Sequence, residues 1–158
     1  MALYKNIDVD FVERTKENLT YIEDCNVQLP QEITHLLNCC YGLLVLPEQK
    51  MADIITLMPQ DLSFYGIDKE SISTHRPKTF VNFITSMRNG FAHAHLQSLA
   101  EDGKTDFVAL AIMDYAADGV KNGTYHTRIE LSIPQLKNFI LKFSQEYLRC
   151  KNQIENKS

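Results

Sequence analysis

Residues 87–95 bring together an arginine, an asparagine and two histidines in a segment with the pattern of a helix. Histidine is the side chain whose ordinary pKa lies nearest neutrality, and the planar head of arginine matches the oxygens of a phosphate group. Cleavage of a phosphodiester without a metal needs such a base and such a fixed positive charge. Asn89 stands one helical turn before His93, so its amide can orient the imidazole or help to hold the phosphate. We therefore take Arg88, Asn89 and His93 as the candidate catalytic residues.

A helix predicted from Pro77 to about Glu101, with a stop signal at residues 102–103, positions these side chains. One stripe of this helix is polar but uncharged, which is typical of a cleft or a subunit contact, and the neighbouring stripe is apolar and can seat the helix in a core. The polar stripe comprises Asn82, Ser86, Asn89, His93 and Gln97, and the apolar stripe comprises Phe80, Ile84, Met87, Phe91 and Ala94. Ser86 and Gln97 are therefore candidate substrate-binding residues, and His95 is a weaker third.

Arg88 precedes His93 by five residues, so on a straight helix the two side chains point ~140° apart, although the long arginine can reach back. Two copies of the helix packed about a two-fold axis would instead gather two arginines and two histidines around one cleft. Gly90 and Ala94 would let the backbones approach closely there. Glycine costs a helix about 1 kcal/mol relative to alanine, which suggests a packing reason for Gly90. The pattern therefore favours a homodimer with a shared site.

The simpler alternative is structural, with Arg88 as a surface cation and His93 as an ordinary helix histidine. A metal site is not indicated, because His93 and His95 would diverge by ~160° on a helix and no third ligand accompanies them. The sequence also has no Gly-rich phosphate loop and no nucleophile elbow. No metal and no cofactor are therefore predicted. The remaining histidines are expected on the surface: His35, His75 and His126.

The segments before the motif predict further helices. One is expected over residues 8 to about 28, and a second from Pro30 until Pro47 terminates it. The second helix becomes apolar all round toward its C-terminal end, so the core or a dimer contact must cover that end. Residues 48–76 have no readable pattern and could be a functional loop or a connector.

After the motif, a β-hairpin over residues 106–131 is expected to be peripheral to the chemistry, because its alternation explains packing on one face and solvent on the other. A last helix starts at Ser132 or Pro134, and its core face is predicted as Leu136, Phe139, Ile140, Phe143 and Tyr147. The predicted fold is mainly α: an antiparallel bundle of four to five helices with the hairpin inserted before the last helix.

Composition limits the class of protein. A chain of 158 residues fits one domain, and its net charge of −4 means that any site for a polyanion must be local. The four cysteines (Cys25, Cys39, Cys40 and Cys150) show no Cys-x-x-Cys spacing and are expected as reduced, mostly buried thiols. The most apolar window is far shorter than the ~20 residues that cross a bilayer, and no signal peptide is apparent. A soluble cytoplasmic protein is predicted.

The run Arg88 to His93 resembles the signature of the HEPN superfamily: an arginine, a polar residue, a short gap and a histidine. The order of predicted elements is similar to that of small stand-alone bacterial HEPN families over roughly residues 8–150. The resemblance implies a single HEPN-like domain over residues 1–158, with a core of about 8–150, that forms a homodimeric helical bundle. The hairpin departs from the minimal four-helix bundle. Because the family also tolerates a longer gap, His95 stays open as the motif histidine.

The resemblance further implies a metal-independent endoribonuclease of toxin–antitoxin or anti-phage defence, which would leave 2′,3′-cyclic phosphate and 5′-hydroxyl ends. In that activity His93 would be the general base or acid, Arg88 would stabilise charge on the phosphorane, and Asn89 would position it. RNA would be the substrate, and an antitoxin or other regulatory protein a partner. Some superfamily members have lost activity. A non-catalytic dimeric module that binds a nucleotide or a partner protein is therefore the alternative.

Overall fold

The structure is a computed structural model that describes residues 7–24, 32–45, 51–100, 107–116, 119 and 123–156. The chain divides into two compact units. The first comprises Met1–Pro59 with Ile140–Ser158, and the second comprises Gln60–Phe139. The motif and its surroundings belong to the second unit.

The first unit is helical. It contains α1 (Ile7–Asp24), α2 (Glu32–Val45), α3 (Met51–Leu57) and the part of α5 (Ile133–Glu155) that follows residue 139. The helices α1 and α2 pack closely, because a Cβ atom added to Gly42 would lie 2.6 Å from the ring of Phe11. The apolar end of α2 is buried in the chain itself: Leu36, Cys39, Cys40, Leu43 and Leu44 are each at most 4% exposed. This burial covers most of that end within the chain, whereas Leu37, Tyr41 and Val45 are half-buried.

The described cysteines are the buried free thiols that the sequence predicts. Cys39, Cys40 and Cys150 are unpaired and buried, and burial raises the pKa of each thiol. A raised pKa keeps the thiol protonated and unreactive at neutral pH. Cys25 lies outside the described residues, as do the predicted last turn of the first helix, Pro47 and the stop signal at 102–103.

The second unit is built on a four-stranded antiparallel sheet, with strands in the order β1-β4-β3-β2. The strands are β1 (Ile72–Thr74), β2 (Leu96–Ala100), β3 (Phe107–Tyr115) and β4 (Tyr125–Ser132). The predicted hairpin is therefore present as β3 and β4, which pair from Ala109 opposite Ser132 to Tyr115 opposite Tyr125. It is not an isolated hairpin, because β1 pairs with its outer edge at β4 and β2 pairs with β3.

The helix α4 (Phe80–Ala92) packs on β3. Thr79 caps its first turn by accepting a hydrogen bond from the N–H of Asn82. Gly90 is the point of closest approach, since an added Cβ would collide with the Cγ2 methyl of Ile112 and lie 3.3 Å from the carbonyl oxygen of Met113. Gly90 thus has the packing reason that its helix cost suggests, and the neighbour is a strand of the same chain.

Aromatic rings fill the rest of the core of this unit. Tyr65, in a short 3-10 turn at Leu62–Tyr65, stacks on Phe80 at a centroid distance of 4.5 Å. Phe83 meets Phe139 edge to face at 5.2 Å.

The helix α5 begins with a capping box, because the Ser132 hydroxyl accepts from the N–H of Gln135 and the Gln135 side chain accepts from the N–H of Ser132. Its predicted core face is buried along its whole length: Leu136, Phe139, Ile140, Phe143 and Tyr147.

The predicted mainly α bundle is wrong. The described residues form a mixed α and β protein, with helices beside a four-stranded antiparallel sheet. Two segments account for the difference. Residues 72–74, read from the sequence as irregular, form the edge strand β1, and residues 96–100, read as the end of the motif helix, form β2. Leu96 and Leu99 have helical spacing, but pairing with β3 overrides this local preference.

Candidate functional site

The motif helix ends at Ala92, well before the predicted Glu101, and the way it ends shapes the site. The N–H of Ala94 donates to the carbonyl of Phe91 at 3.0 Å, and the N–H of His95 donates to the carbonyl of Gly90 at 2.8 Å. Together these two hydrogen bonds form a Schellman motif, which requires a residue with left-handed backbone just after the helix cap. Ala94 takes that conformation, with φ +53°, although glycine is the usual residue there. The chain therefore leaves the helix in a sharp turn instead of continuing along its axis.

This turn brings the two motif histidines together. The ring centroids of His93 and His95 lie 5.6 Å apart with an interplanar angle of 30°. The expectation that the two rings diverge on one helix is wrong, because the helix ends at Ala92, before both histidines. The His95 ring also meets the Tyr115 ring edge to face at 4.7 Å. The carbonyl of His95 accepts a 3.0 Å hydrogen bond from the N–H of Met113, which fixes it to β3. His93 itself is exposed.

Arg88 and Asn89 lie one turn earlier on α4 and are joined to each other. Nη1 of Arg88 donates to Oδ1 of Asn89 at 3.4 Å. The same amide donates through Nδ2 to Oδ1 of Asp114 at 3.1 Å. Arg88 and Asn89 are both half-buried, and the Nε atom of Arg88 is buried. The sequence predicts Asn89 as a partner of His93, but its side chain faces β3.

Asp114 is the polar centre of this region. It is only 4% exposed, and it interrupts an otherwise apolar stretch of β3. Besides Asn89, it accepts a 3.1 Å hydrogen bond from the hydroxyl of Ser86, and Nη1 of Arg76 lies 3.4 Å from its Oδ2. Ser86 is 1% exposed, so its hydroxyl serves the carboxylate. Thr127, opposite Asp114 on β4, shares a 2.9 Å hydrogen bond with the hydroxyl of Thr74.

Gln97 lies on β2 instead of on the motif helix. Its side chain is exposed, and its Oε1 accepts a 3.3 Å hydrogen bond from Nη1 of Arg128 on β4. Nε of Arg128 donates to Glu130 at 2.6 Å. Arg128 pairs with Met113 across the sheet, and successive strand residues point to opposite faces. Arg128 and Gln97 therefore lie on the face of the sheet opposite Asp114.

The sequence analysis missed four residues of this region, namely Arg76, Asp114, Tyr115 and Arg128. A signal for Asp114 is present, since an aspartate that directly follows the apolar run Phe107–Met113 of a strand needs a partner when buried. The hairpin is also less peripheral than expected, because it supplies Asp114 to Asn89 and Tyr115 to His95. The other three residues have no sequence signal, since only pairing across the sheet and the turn before α4 brings them close.

Three further observations concern metal ions, the remaining histidines and membrane crossing. Within the described part of the chain, no third His, Cys, Asp or Glu joins two others in a group that could hold a metal ion. His75 is exposed, as predicted, whereas His35 and His126 are half-buried. Of the helices that the structure describes, none combines the length and apolar content that a membrane crossing requires.

The arrangement can support acid–base chemistry at the surface. Two imidazoles lie side by side at a turn, and a guanidinium one turn earlier is linked through an amide to a buried carboxylate. Comparison with known proteins finds no match among curated proteins or solved structures. A family model described as HEPN pEK499 p136 matches residues 1–154, nearly the whole chain. The chain therefore belongs to this HEPN family, as the motif around Arg88 and His93 suggests.

Proposed function

We propose that the protein is a metal-independent endoribonuclease of the HEPN type that acts in toxin–antitoxin or anti-phage defence. Family membership supports a nuclease or a nucleotide-related module. The observation that carries the finer proposal is the pair of adjacent imidazoles at the end of α4. Transesterification of RNA needs one group to accept a proton and one to supply it, and two neighbouring histidines can provide both.

In the proposed reaction His93 removes the proton from the 2′-hydroxyl, and the resulting oxygen attacks the adjacent phosphorus. The bond from phosphorus to the 5′ oxygen breaks, and His95 supplies the proton to that leaving oxygen. The products are a 2′,3′-cyclic phosphate and a 5′-hydroxyl. Arg88 stabilises the charge that builds on the phosphorane, and Asn89 holds the guanidinium. General acid–base help of about 10²–10⁴-fold is the scale that such a pair can supply.

We also propose a homodimer whose two copies of the motif form a shared cleft, with an antitoxin or other regulatory protein as a further partner. The dimer rests on the HEPN resemblance alone. Gly90 contacts β3 and needs no second copy, and most of the apolar end of α2 is buried in the chain. A mixture of Arg88→Ala and His93→Ala proteins tests for a shared site, because a heterodimer would hold one intact Arg88–His93 set and regain part of the rate.

The alternative is a non-catalytic dimeric module that binds a nucleotide or a partner protein through the same residues. The net charge of −4 favours this alternative, since indiscriminate attraction of RNA is weak for an acidic protein. Gln97 and Arg128 could contact a ligand in either case, because the exposed amide of Gln97 and the half-buried guanidinium of Arg128 suit a base or a phosphate.

The deciding experiment is incubation of the purified protein with structured and single-stranded RNAs, with and without EDTA. We expect cleavage that survives EDTA and leaves 2′,3′-cyclic phosphate ends, which are resolved by end-specific enzymatic labelling. Light scattering at micromolar concentration measures the mass of the oligomer in the same samples. Saturable binding of RNA or nucleotide without cleavage would place the binding module first, and a monomer mass would remove the shared cleft.

A further inference from the structure

The carboxylate of Asp114 is buried on β3, outside the motif and 25 residues after Asn89. Its two oxygens are divided between neighbours. Oδ1 accepts from the amide of Asn89, whereas Oδ2 accepts from the hydroxyl of Ser86 and lies 3.4 Å from Nη1 of Arg76. A buried carboxylate needs this many partners to offset its lost hydration. The carboxylate also determines which end of the Asn89 amide faces it, and Asn89 lies in the motif.

We propose that Asp114 is a positioning residue, which acts through Asn89 to hold the guanidinium of Arg88 in the orientation needed for phosphate. This inference rests on the proposed ribonuclease activity and deepens it. An ionised aspartate has only acceptor atoms, whereas an asparagine amide has one acceptor and one donor end. Asn89 must therefore turn its NH₂ group toward Asp114. Its carbonyl oxygen is then left facing Arg88, and Nη1 donates to it at 3.4 Å.

A simple counterion for Arg76 would not need the Asn89 contact. Arg76 is partly exposed and meets Oδ2, on the side of the carboxylate away from Asn89. The link that runs from Oδ1 through the Asn89 amide to Arg88 is separate from that ion pair. The polar residue after the motif arginine therefore serves as a relay between β3 and the guanidinium of Arg88. Fixing an arginine before the substrate arrives lowers the cost of ordering it in the transition state.

The variant Asp114→Asn tests the relay, because it keeps the size of the side chain and adds a donor that lets the Asn89 amide turn round. We expect a loss of at least tenfold in kcat for RNA cleavage, with KM within twofold of wild type. The matched control is Thr127→Val, which removes a buried hydrogen bond to Thr74 directly across the strand pair but leaves Asn89 untouched. That control should lose thermal stability and keep kcat within threefold.

A second measurement reads the guanidinium itself and does not depend on activity. Nε of Arg88 is buried, so its N–H should give a slowly exchanging NMR signal, assigned by its absence in Arg88→Lys. We expect this signal to shift and exchange faster in Asp114→Asn, but not in Thr127→Val. If wild type cleaves no RNA, the proposed function fails, and this signal still decides whether Asp114 positions Arg88.

An unchanged Arg88 signal and an unchanged kcat in Asp114→Asn would overturn the inference. Equal losses in Asp114→Asn and Thr127→Val would also overturn it, since they would make Asp114 only a stabilising residue. If Asp114→Asn does not fold, the near-isosteric Asn89→Leu breaks the same relay at a half-buried position. A wild-type Arg88 signal in Asn89→Leu would then show that no relay holds the guanidinium.

Discussion

The imidazoles of His93 and His95 lie with their centroids 5.6 Å apart, although the two residues would face different sides of a continuous helix. Ala94 between them produces this proximity, because its left-handed backbone closes the Schellman turn that ends α4. His95 is then fixed to β3 by its carbonyl and by the ring of Tyr115. His93 remains exposed beside it. A histidine held against β3, just before β2 begins at Leu96, thus flanks a histidine at the helix terminus.

The first prediction concerns His95. The variant His95→Ala should reduce RNA cleavage by about tenfold or more, because it removes the proposed proton donor for the leaving oxygen. Tyr115→Phe is the structural control, since it keeps the ring that meets His95 and removes only the hydroxyl near the Met113 sulfur. Its rate should stay within twofold of wild type. Full activity in His95→Ala would leave His93 as the acting histidine of the pair.

The motif itself supplies the second prediction. Arg88→Ala and His93→Ala should each lose at least about tenfold in cleavage rate, measured in single-turnover assays with the protein in excess. Because His93 is exposed, its substitution should hardly change the melting temperature. His75→Ala, an exposed histidine in the segment before α4, is the control and should be fully active. Normal cleavage by both motif variants, together with lower melting temperatures, would make the motif structural.

The third prediction tests the turn after α4. An alanine in the left-handed region costs roughly 1–2 kcal/mol. Glycine would relieve this strain, but its greater conformational freedom in the unfolded chain offsets part of the gain. Ala94→Gly should therefore stabilise the protein by about 0.5–1 kcal/mol in urea unfolding, with the turn and the activity retained. Ala94→Val should destabilise it, since a β-branched residue tolerates this backbone poorly. A lower unfolding midpoint for the glycine variant would contradict the left-handed assignment.

Gly90 gives the fourth prediction. Gly90→Ala improves helix propensity by about 1 kcal/mol, yet its Cβ would collide with Ile112 and press on the backbone at Met113. We expect the collision to dominate, with a net loss of about 1–3 kcal/mol in the free energy of unfolding. The mass in light scattering should stay unchanged, because Gly90 packs inside the chain. A variant that folds with wild-type stability but changes its mass would place Gly90 in a subunit contact instead.

The fifth prediction is a pH dependence at Asp61. Hydrogen bonds from the hydroxyl and the backbone N–H of Ser63 lower the pKa of this carboxyl in the folded protein. A lowered folded pKa means that the stabilisation is present above the unfolded value of about 3.9 and is lost as the pH falls through the folded value. Asp61→Ala should therefore melt below wild type at pH 7. The gap between the two melting temperatures should narrow as the pH falls below the unfolded value of about 3.9, and a gap that stays constant over that range would contradict the cap.

Much of the second unit was predictable from local pattern. The alternation after residue 124 predicts β4, the apolar run from Phe107 predicts β3, and Ser132 and Pro134 predict the start of α5. These signals hold because each depends on residues within one element or one turn. The order Arg88 to His93 also indicates the family that the match over residues 1–154 shows, since a family motif is a property of the chain and not of its contacts.

The sequence by itself therefore determined the motif, the core face of α5, the hairpin and the buried cysteines. Only the tertiary structure decided where α4 ends, because the helical spacing of Leu96 and Leu99 is overridden by backbone hydrogen bonds to β3. It also decided the neighbours of the motif. Asp114 reaches Asn89, and Tyr115 reaches His95, through strand pairing over long sequence separations that no local pattern encodes.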